Sequence, residues 1–179
     1  MELIWQELTS GFSDWQQFVR VVVRLIAAVV LGAAIGFERE SAGKAAGLRT
    51  HMLVTLGTCV FVLAGIGYGM NSDGLSRIIQ GIVTGLGFIG AGSILKQSSR
   101  GTIHGLTTAA GIWMASAVGV AVGLGEIGLA LLAAVLTLIV LYVLRGFEEA
   151  ATLGKGSDQA DPDGEDIEVT GSNVDVNNK

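Results

Sequence analysis

The sequence predicts an all-α, polytopic membrane protein: a bundle of five transmembrane helices with a disordered acidic C-terminal tail. Three observations carry that expectation. Five apolar stretches, Val19–Phe37, Met52–Met70, Ile78–Leu95, Leu106–Leu124 and Ile127–Leu144, fill the middle of the chain. At about 1.5 Å of rise per residue, stretches of roughly 18–20 residues match a hydrocarbon core about 30 Å thick. Half of the 179 residues are hydrophobic and the mean hydropathy is +0.60, too high for an ordinary soluble domain. The single proline, Pro162, lies outside all five stretches.

The two ends differ from the middle. Residues 1–18 carry Glu2, Glu7 and Asp14 and no lysine or arginine, whereas a signal peptide needs a basic start. Trp5, Phe12, Trp15 and Phe18 suit a segment lying in the membrane interface, so 1–18 is read as interfacial and 19–147 as the transmembrane domain. The net charge of −5 is divided unevenly. Residues 1–147 hold nine Lys/Arg and seven Asp/Glu, whereas 148–179 hold two lysines and nine acids. That last segment is short of apolar residues and is read as a disordered cytoplasmic tail. The single cysteine, Cys59, lies mid-span and reads as a small buried apolar residue.

Loop charges set the expected orientation. Arg39, Lys44 and Arg49 follow the first span, Lys96 and Arg100 the third, and Arg145 and Lys155 the fifth. The second loop has Asp73 with Arg77 at its edge, and the fourth, Gly125–Glu126, has no cation. The positive-inside rule then puts the N-terminus outside and the C-terminus in the cytoplasm. Arg20 and Arg24 resist this pattern. They share a helical face at the outer end of the first span, where they snorkel outward or pair with an acid such as Asp73 or Glu126.

Many of the 27 glycines recur at intervals of four: Gly32/Gly36, Gly81/Gly85 and Gly119/Gly123. Lipid is as apolar as leucine, so membrane helices associate by close packing, which small residues permit. The rows outnumber what one five-helix packing needs, and a homo-oligomer, a dimer, is expected. Gly85-Leu86-Gly87-Phe88-Ile89-Gly90 matches G-x-G-x-x-G, but a dinucleotide site needs a preceding strand, and this run lies inside an apolar span. It reads as packing glycines with room for a local helix break.

Polar groups gather at the cytoplasmic end of three spans. Glu38, Arg39 and Glu40 close the first; Arg49 and His51 open the second, with Thr55 and Thr58 one face further on; His104, Thr107 and Thr108 open the fourth. One reading is ordinary helix-end pairing, Glu38 or Glu40 with Arg49, and threonines bonded to their own helix carbonyls. The other is a shared ion or ligand site. Neither H-x-x-x-H nor C-x-x-C occurs, so a zinc site has no support. Magnesium, which takes oxygen ligands and keeps its waters, needs only a carboxylate such as Glu38. A second row, Arg77, Gln80 and Thr84, shares a face of the third span and is placed at an outer vestibule. No nucleophile–base arrangement, phosphate loop or nucleic-acid patch is evident, and enzymatic activity is not expected.

Four runs resemble the MgtC/SapB family of bacterial inner-membrane proteins: Gly36-Phe37-Glu38-Arg39-Glu40, Ala46-Gly47-Leu48-Arg49-Thr50-His51, Gly85 to Gly92, and Gly105-Leu106-Thr107-Thr108-Ala109-Ala110. The likeness covers roughly Arg20 to Gly146. It implies a bacterial plasma membrane and a link to magnesium homeostasis. In the virulence-associated members it implies restraint of the rotary ATP synthase. Those members carry a folded cytoplasmic domain where this chain has an acidic tail, so the chain looks like the shorter SapB-type branch.

Two functions follow as expectations. One is a transport or ion-sensing protein with Mg2+ at the polar cluster. The other is a regulatory protein that moves no ion and binds a membrane partner such as the ATP synthase through glycine-rich helix faces. The orientation has a direct test. Cysteines placed singly at Ser10 and Ser157, in a Cys59-free background, are expected to react with an impermeant thiol reagent on intact cells only at position 10. Reaction at 157 alone reverses the topology.

Overall fold

In the computed structural model, residues 1–4, 14–96 and 103–156 are described. Five long helices follow one another: α1 (Trp15–Ser41), α2 (Leu48–Gly67), α3 (Ser72–Gly92), α4 (Leu106–Leu124) and α5 (Ile127–Gly156). Between α3 and α4 lies a two-residue antiparallel ladder, β1 (Leu95–Lys96) with β2 (Ile103–His104). Helices α1 to α4 are long and apolar enough to cross a membrane, and α5 is apolar over Ile127–Val143. The expected all-α membrane fold is therefore what the chain adopts.

Except at α4 and the start of α5, the helix ends depart from the ends of the apolar stretches, because hydropathy marks depth, whereas hydrogen bonding marks helix ends. α1 starts at Trp15, so Trp15 and Phe18 belong to the spanning helix, where their rings stack with centroids 5.4 Å apart. The helix therefore begins inside the stretch read as interfacial; Trp5 and Phe12 lie outside the described residues. α3 is capped by Asn71, whose Oδ1 accepts from the Gly74 amide at 3.0 Å. It runs unbroken through Gly85, Gly87 and Gly90 to Gly92, so the helix break expected there is absent. α5 stays helical to Gly156, past the expected boundary at 147. Glu148, Glu149, Ala150, Ala151 and Leu153 are good helix formers, and no proline intervenes. The expected boundary at 147 thus falls inside a helix, and 157–179 lie outside the described residues.

His104 is in β2 and not on α4, which separates it from Thr107 and Thr108. Gly105 makes the break. Its φ is +97°, and a Cβ there would overlap the Ser93 carbonyl oxygen, so the chain turns into α4 only with glycine at this position.

Within the unit formed by residues 1–143, α2 is the central helix. The Gly32/Gly36 row of α1 lies against one side of it. A Cβ at Gly32 would overlap Thr55 Oγ1 and lie 2.8 Å from the His51 carbonyl oxygen; one at Gly36 would lie 2.7 Å from Leu48 Cα. The Gly119/Gly123 row of α4 lies against the other side. A Cβ at Gly119 would overlap Thr58 Oγ1 and lie 2.9 Å from Thr55 Cα; one at Gly123 would lie 2.8 Å from Val62 Cβ. These are the close backbone approaches that small-residue rows permit. Buried Ala28, Ile35, Cys59, Val118 and Val122 complete this core, with Ala130, Ala134 and Leu141 from α5. α3 joins through Ile82 and Leu86, packed near Val62 and Ile112.

Gly81 and Gly85 behave differently. A Cβ at either would meet nothing within 4 Å, so this row packs against no described part of its own chain. The contrast is testable by thermal unfolding in detergent. Gly119→Ala is expected to cost about 1–3 kcal/mol through forced backbone shifts. Gly85→Ala is expected to be neutral or to stabilise by up to about 1 kcal/mol, because alanine is the better helix former. Equal losses at both positions would contradict the packing.

Candidate functional site: a buried polar cluster at one end of the bundle

The C-terminal end of α1 and the N-terminal ends of α2 and α4 converge. On α1 the buried positions are Ala28, Gly32, Ile35, Gly36 and Arg39, one face at helical spacing. Arg39 is therefore carried into the interior by the same face that presses the glycines onto α2, and it is only 2 % exposed. Its Nε donates to Glu38 Oε2 at 2.5 Å. On α2 the buried face begins with His51, which is fully buried, and continues through Thr55, Thr58, Cys59 and Val62. His51 Nδ1 lies 2.9 Å from the Gly47 carbonyl oxygen. A carbonyl only accepts, so Nδ1 carries the proton, and in the neutral ring Nε2 presents a lone pair. On α4, Gly111 closes the site: a Cβ there would lie 3.4 Å from His51 Nε2 and 3.9 Å from Arg39 Cδ. Thr108, one turn earlier on that face, is buried.

Two polar atoms of this cluster, Glu38 Oε1 and His51 Nε2, are buried without a hydrogen-bond partner among the described residues. Both accept. Buried polar groups are almost always paired, so two unpaired acceptors in one cluster mark a place for a donor. The charges of Glu38 and Arg39 offset each other, which leaves the cluster near neutral.

Other expected members fall elsewhere. Glu40 Oε2 accepts from the Leu48 amide at 2.8 Å, capping the free N-terminus of α2, and Gly47 lets the carboxylate approach. Arg49 and Thr107 are exposed. Neither Glu38 nor Glu40 pairs with Arg49; the ion pair among the described residues joins Glu38 to its own neighbour. Thr55 and Thr58 bond to carbonyls of their own helix, His51 at 3.0 Å and Val54 at 2.9 Å, and Thr58 also reaches Ser116 O of α4 at 3.3 Å. Among the described residues no three His, Cys, Asp or Glu side chains gather as for a metal centre. Glu38 Oε1 is the buried carboxylate oxygen without a partner among the described residues. Gly111 was missed by sequence reasoning, although Gly111, Ala115, Gly119 and Gly123 form one small-residue row at intervals of four.

Arg77, Gln80 and Thr84 are exposed on α3 beside the open glycines, with Thr84 Oγ1 bonded to the Gln80 carbonyl at 2.8 Å. They lie on an exposed face of the chain. At the opposite end of the bundle from the cluster, Arg24 donates to the Gly123 carbonyl oxygen at 2.9 Å, capping α4, and pairs with neither Asp73 nor Glu126.

The fold and the cluster define a class, a helical membrane protein with a buried carboxylate–guanidinium–imidazole group at one end of its bundle. The model of the MgtC family matches residues 25–150, and the chain belongs to that family. It is 45% identical over 130 residues to the "putative magnesium transporter YhiD" of Escherichia coli (strain K12), covering 68% of this chain and 59% of that protein. It is 39% identical over 151 residues to "protein SrpB" of Synechococcus elongatus, covering 78% and 81%. It is 41% identical over 124 residues to "protein MgtC" of Salmonella typhimurium (strain LT2), covering 69% and 52%. The chain thus spans less than two thirds of the YhiD and MgtC proteins. No solved structure matches it.

Proposed function

We propose that this protein serves divalent-cation homeostasis, magnesium foremost, as a transport or ion-sensing protein of the bacterial inner membrane. In this reading the N-terminus is outside and the polar cluster faces the cytoplasm. One observation supports it above the rest: Glu38 Oε1 and His51 Nε2 are two buried acceptors with no hydrogen-bond partner among the described residues. A hydrated magnesium ion presents water donors all round and gives up its waters reluctantly. Glu38 Oε1 would take an inner or outer position on the ion, and His51 Nε2 would accept from one of its waters. Arg39 beside Glu38 opposes tight capture of a bare dication, so the cluster suits passage or sensing better than storage. The name of the Escherichia coli relative agrees with the choice of ion.

The test compares growth with protein level in a strain lacking the wild-type protein. Glu38→Gln and His51→Ala are expected to abolish growth support at low magnesium while the protein still accumulates. Arg49→Ala and Thr107→Val, at exposed positions, are expected to grow normally. Normal growth of Glu38→Gln and His51→Ala at normal protein levels rules this cluster out.

α3 favours a second reading, a regulatory protein that works through a helix face. Of the four long apolar helices it is the least buried, 11 % of its apolar window against 56 % for α4. Gly81 and Gly85 line an open groove that α3 forms with Thr58 and Phe61 of α2, beside the exposed Gln80 and Thr84, and polar side chains at membrane depth are seldom left to lipid. The occupant proposed is a second copy of the chain, giving a dimer, and the same face would serve another membrane partner. Gly32 and Gly119, engaged within the chain, do not form that contact. Gly81→Leu is expected to shift the particle from dimer to monomer in lipid discs without loss of fold. A dimer that persists in Gly81→Leu removes α3 as the interface.

A further inference from the structure

At the end of the bundle where α1 begins and α2 ends, the two helices splay around a cavity of about 600 Å³. That volume lies in the range of sites for small ligands. Its walls are apolar: Val21 and Leu25 from α1, Val60, Leu63 and Ala64 from α2. Its polar groups are cationic or neutral, with Arg20 and Arg24 on one side and Tyr68 on the other. The two arginines are not equivalent. Arg24 is half-buried and bonded to the Gly123 carbonyl, and a Cβ at Gly125 would lie 2.9 Å from its Cζ. It is therefore held in place by the C-terminal end of α4, whose carbonyls balance part of its charge. Arg20, one turn nearer the helix start on the same face, is exposed and has no ion-pair partner among the described residues. The cavity thus joins an apolar trough to a cation at its mouth that is uncompensated among the described residues.

Depth fits this pairing. From Arg20 to Glu38 α1 rises about 27 Å, close to the thickness of a hydrocarbon core, which puts Arg20 at headgroup level. Guanidinium groups take phosphate oxygens through two parallel hydrogen bonds. A net positive mouth favours a lipid with net negative charge over a zwitterionic one.

We propose that this cavity binds an anionic phospholipid, its phosphate on Arg20 with support from Arg24, and an acyl chain in the trough between α1 and α2. The site is separate from the Glu38 cluster and stands whether or not that cluster handles an ion.

The test uses the full chain, purified and returned to lipid discs. After exchange into mild detergent, native mass spectrometry reads the lipid that stays bound. From an equimolar mixture of phosphatidylglycerol and phosphatidylcholine, the wild type is expected to retain phosphatidylglycerol at least about tenfold over phosphatidylcholine. Arg20→Gln is expected to remove the preference, with an unchanged circular dichroism spectrum, and Arg20→Lys to restore part of it. Ala64→Phe, which narrows the trough and leaves the arginines, is expected to lower retention of the lipid. Equal retention of both lipids by the wild type overturns the proposal, as does a preference that survives Arg20→Gln. Glycerol phosphate that stabilises the protein against heat as well as phosphatidylglycerol does would show an anion site without a lipid trough, and would overturn it too.

Discussion

The rest of the molecule depends on how closely α2 lies to its two neighbours. Membrane helices gain nothing from hiding apolar surface, because lipid is already apolar. What holds them is dense contact, and the densest contact is backbone on backbone. Gly32 and Gly36 on one side and Gly119 and Gly123 on the other bring α1 and α4 against the α2 backbone itself. The spaces that side chains would have filled are taken by Thr55 and Thr58 hydroxyls, already satisfied by carbonyls of α2. The threonines therefore add volume without adding an unpaired donor. The extra bond from Thr58 to Ser116 O contributes on the order of 0.6 kcal/mol, a supplement to the packing and not its source.

The polar cluster is a consequence of that packing. Arg39 continues the face of Gly32 and Gly36, and His51 begins the face of Thr55 and Thr58. Once those faces close on each other, both side chains are buried, and Gly111 leaves the room they occupy. Burying an ion pair seldom stabilises a fold, because desolvation offsets the attraction. The Glu38–Arg39 pair, with one carboxylate oxygen left over, is thus hard to explain as a device for stability alone. A ligand that donates to Glu38 Oε1 and His51 Nε2 would repair both deficits at once, which is why the functional reading rests on these two atoms.

The helices were legible because a bilayer demands long apolar runs. The start and end of α4 and the start of α5 fall where the apolar stretches do, since Gly105 and Gly125, at positive φ, bound α4 on both sides. Both ends of α1 and the starts of α2 and α3 were not legible, because polar residues such as Glu38 to Ser41 are helical outside the apolar run. The glycine rows were seen, but their partners were not. Spacing makes Gly81/Gly85 and Gly119/Gly123 look alike, and only the fold separates an occupied row from an open one. In the site, residue types and depth pointed to Glu38, Arg39 and His51. Direction did not follow from position: Arg49 and Thr107 stand at the same level and face outward, and Glu40 turns to cap α2.

Charge at the two ends of the bundle is handled in opposite ways. Near the α2 N-terminus, Arg39 is interior and its charge is met by Glu38. Near the α2 C-terminus, Arg24 is met by helix carbonyls and Arg20 by nothing in the described chain. The membrane sets this difference its limits. An unmet cation is tolerable at headgroup level, where phosphates are at hand, and costly a turn deeper. Arg24, the deeper of the two, is the one with a protein partner. The arrangement therefore grades compensation with depth, and it leaves the bundle with one end suited to a donor or hydrated cation and the other suited to an anion.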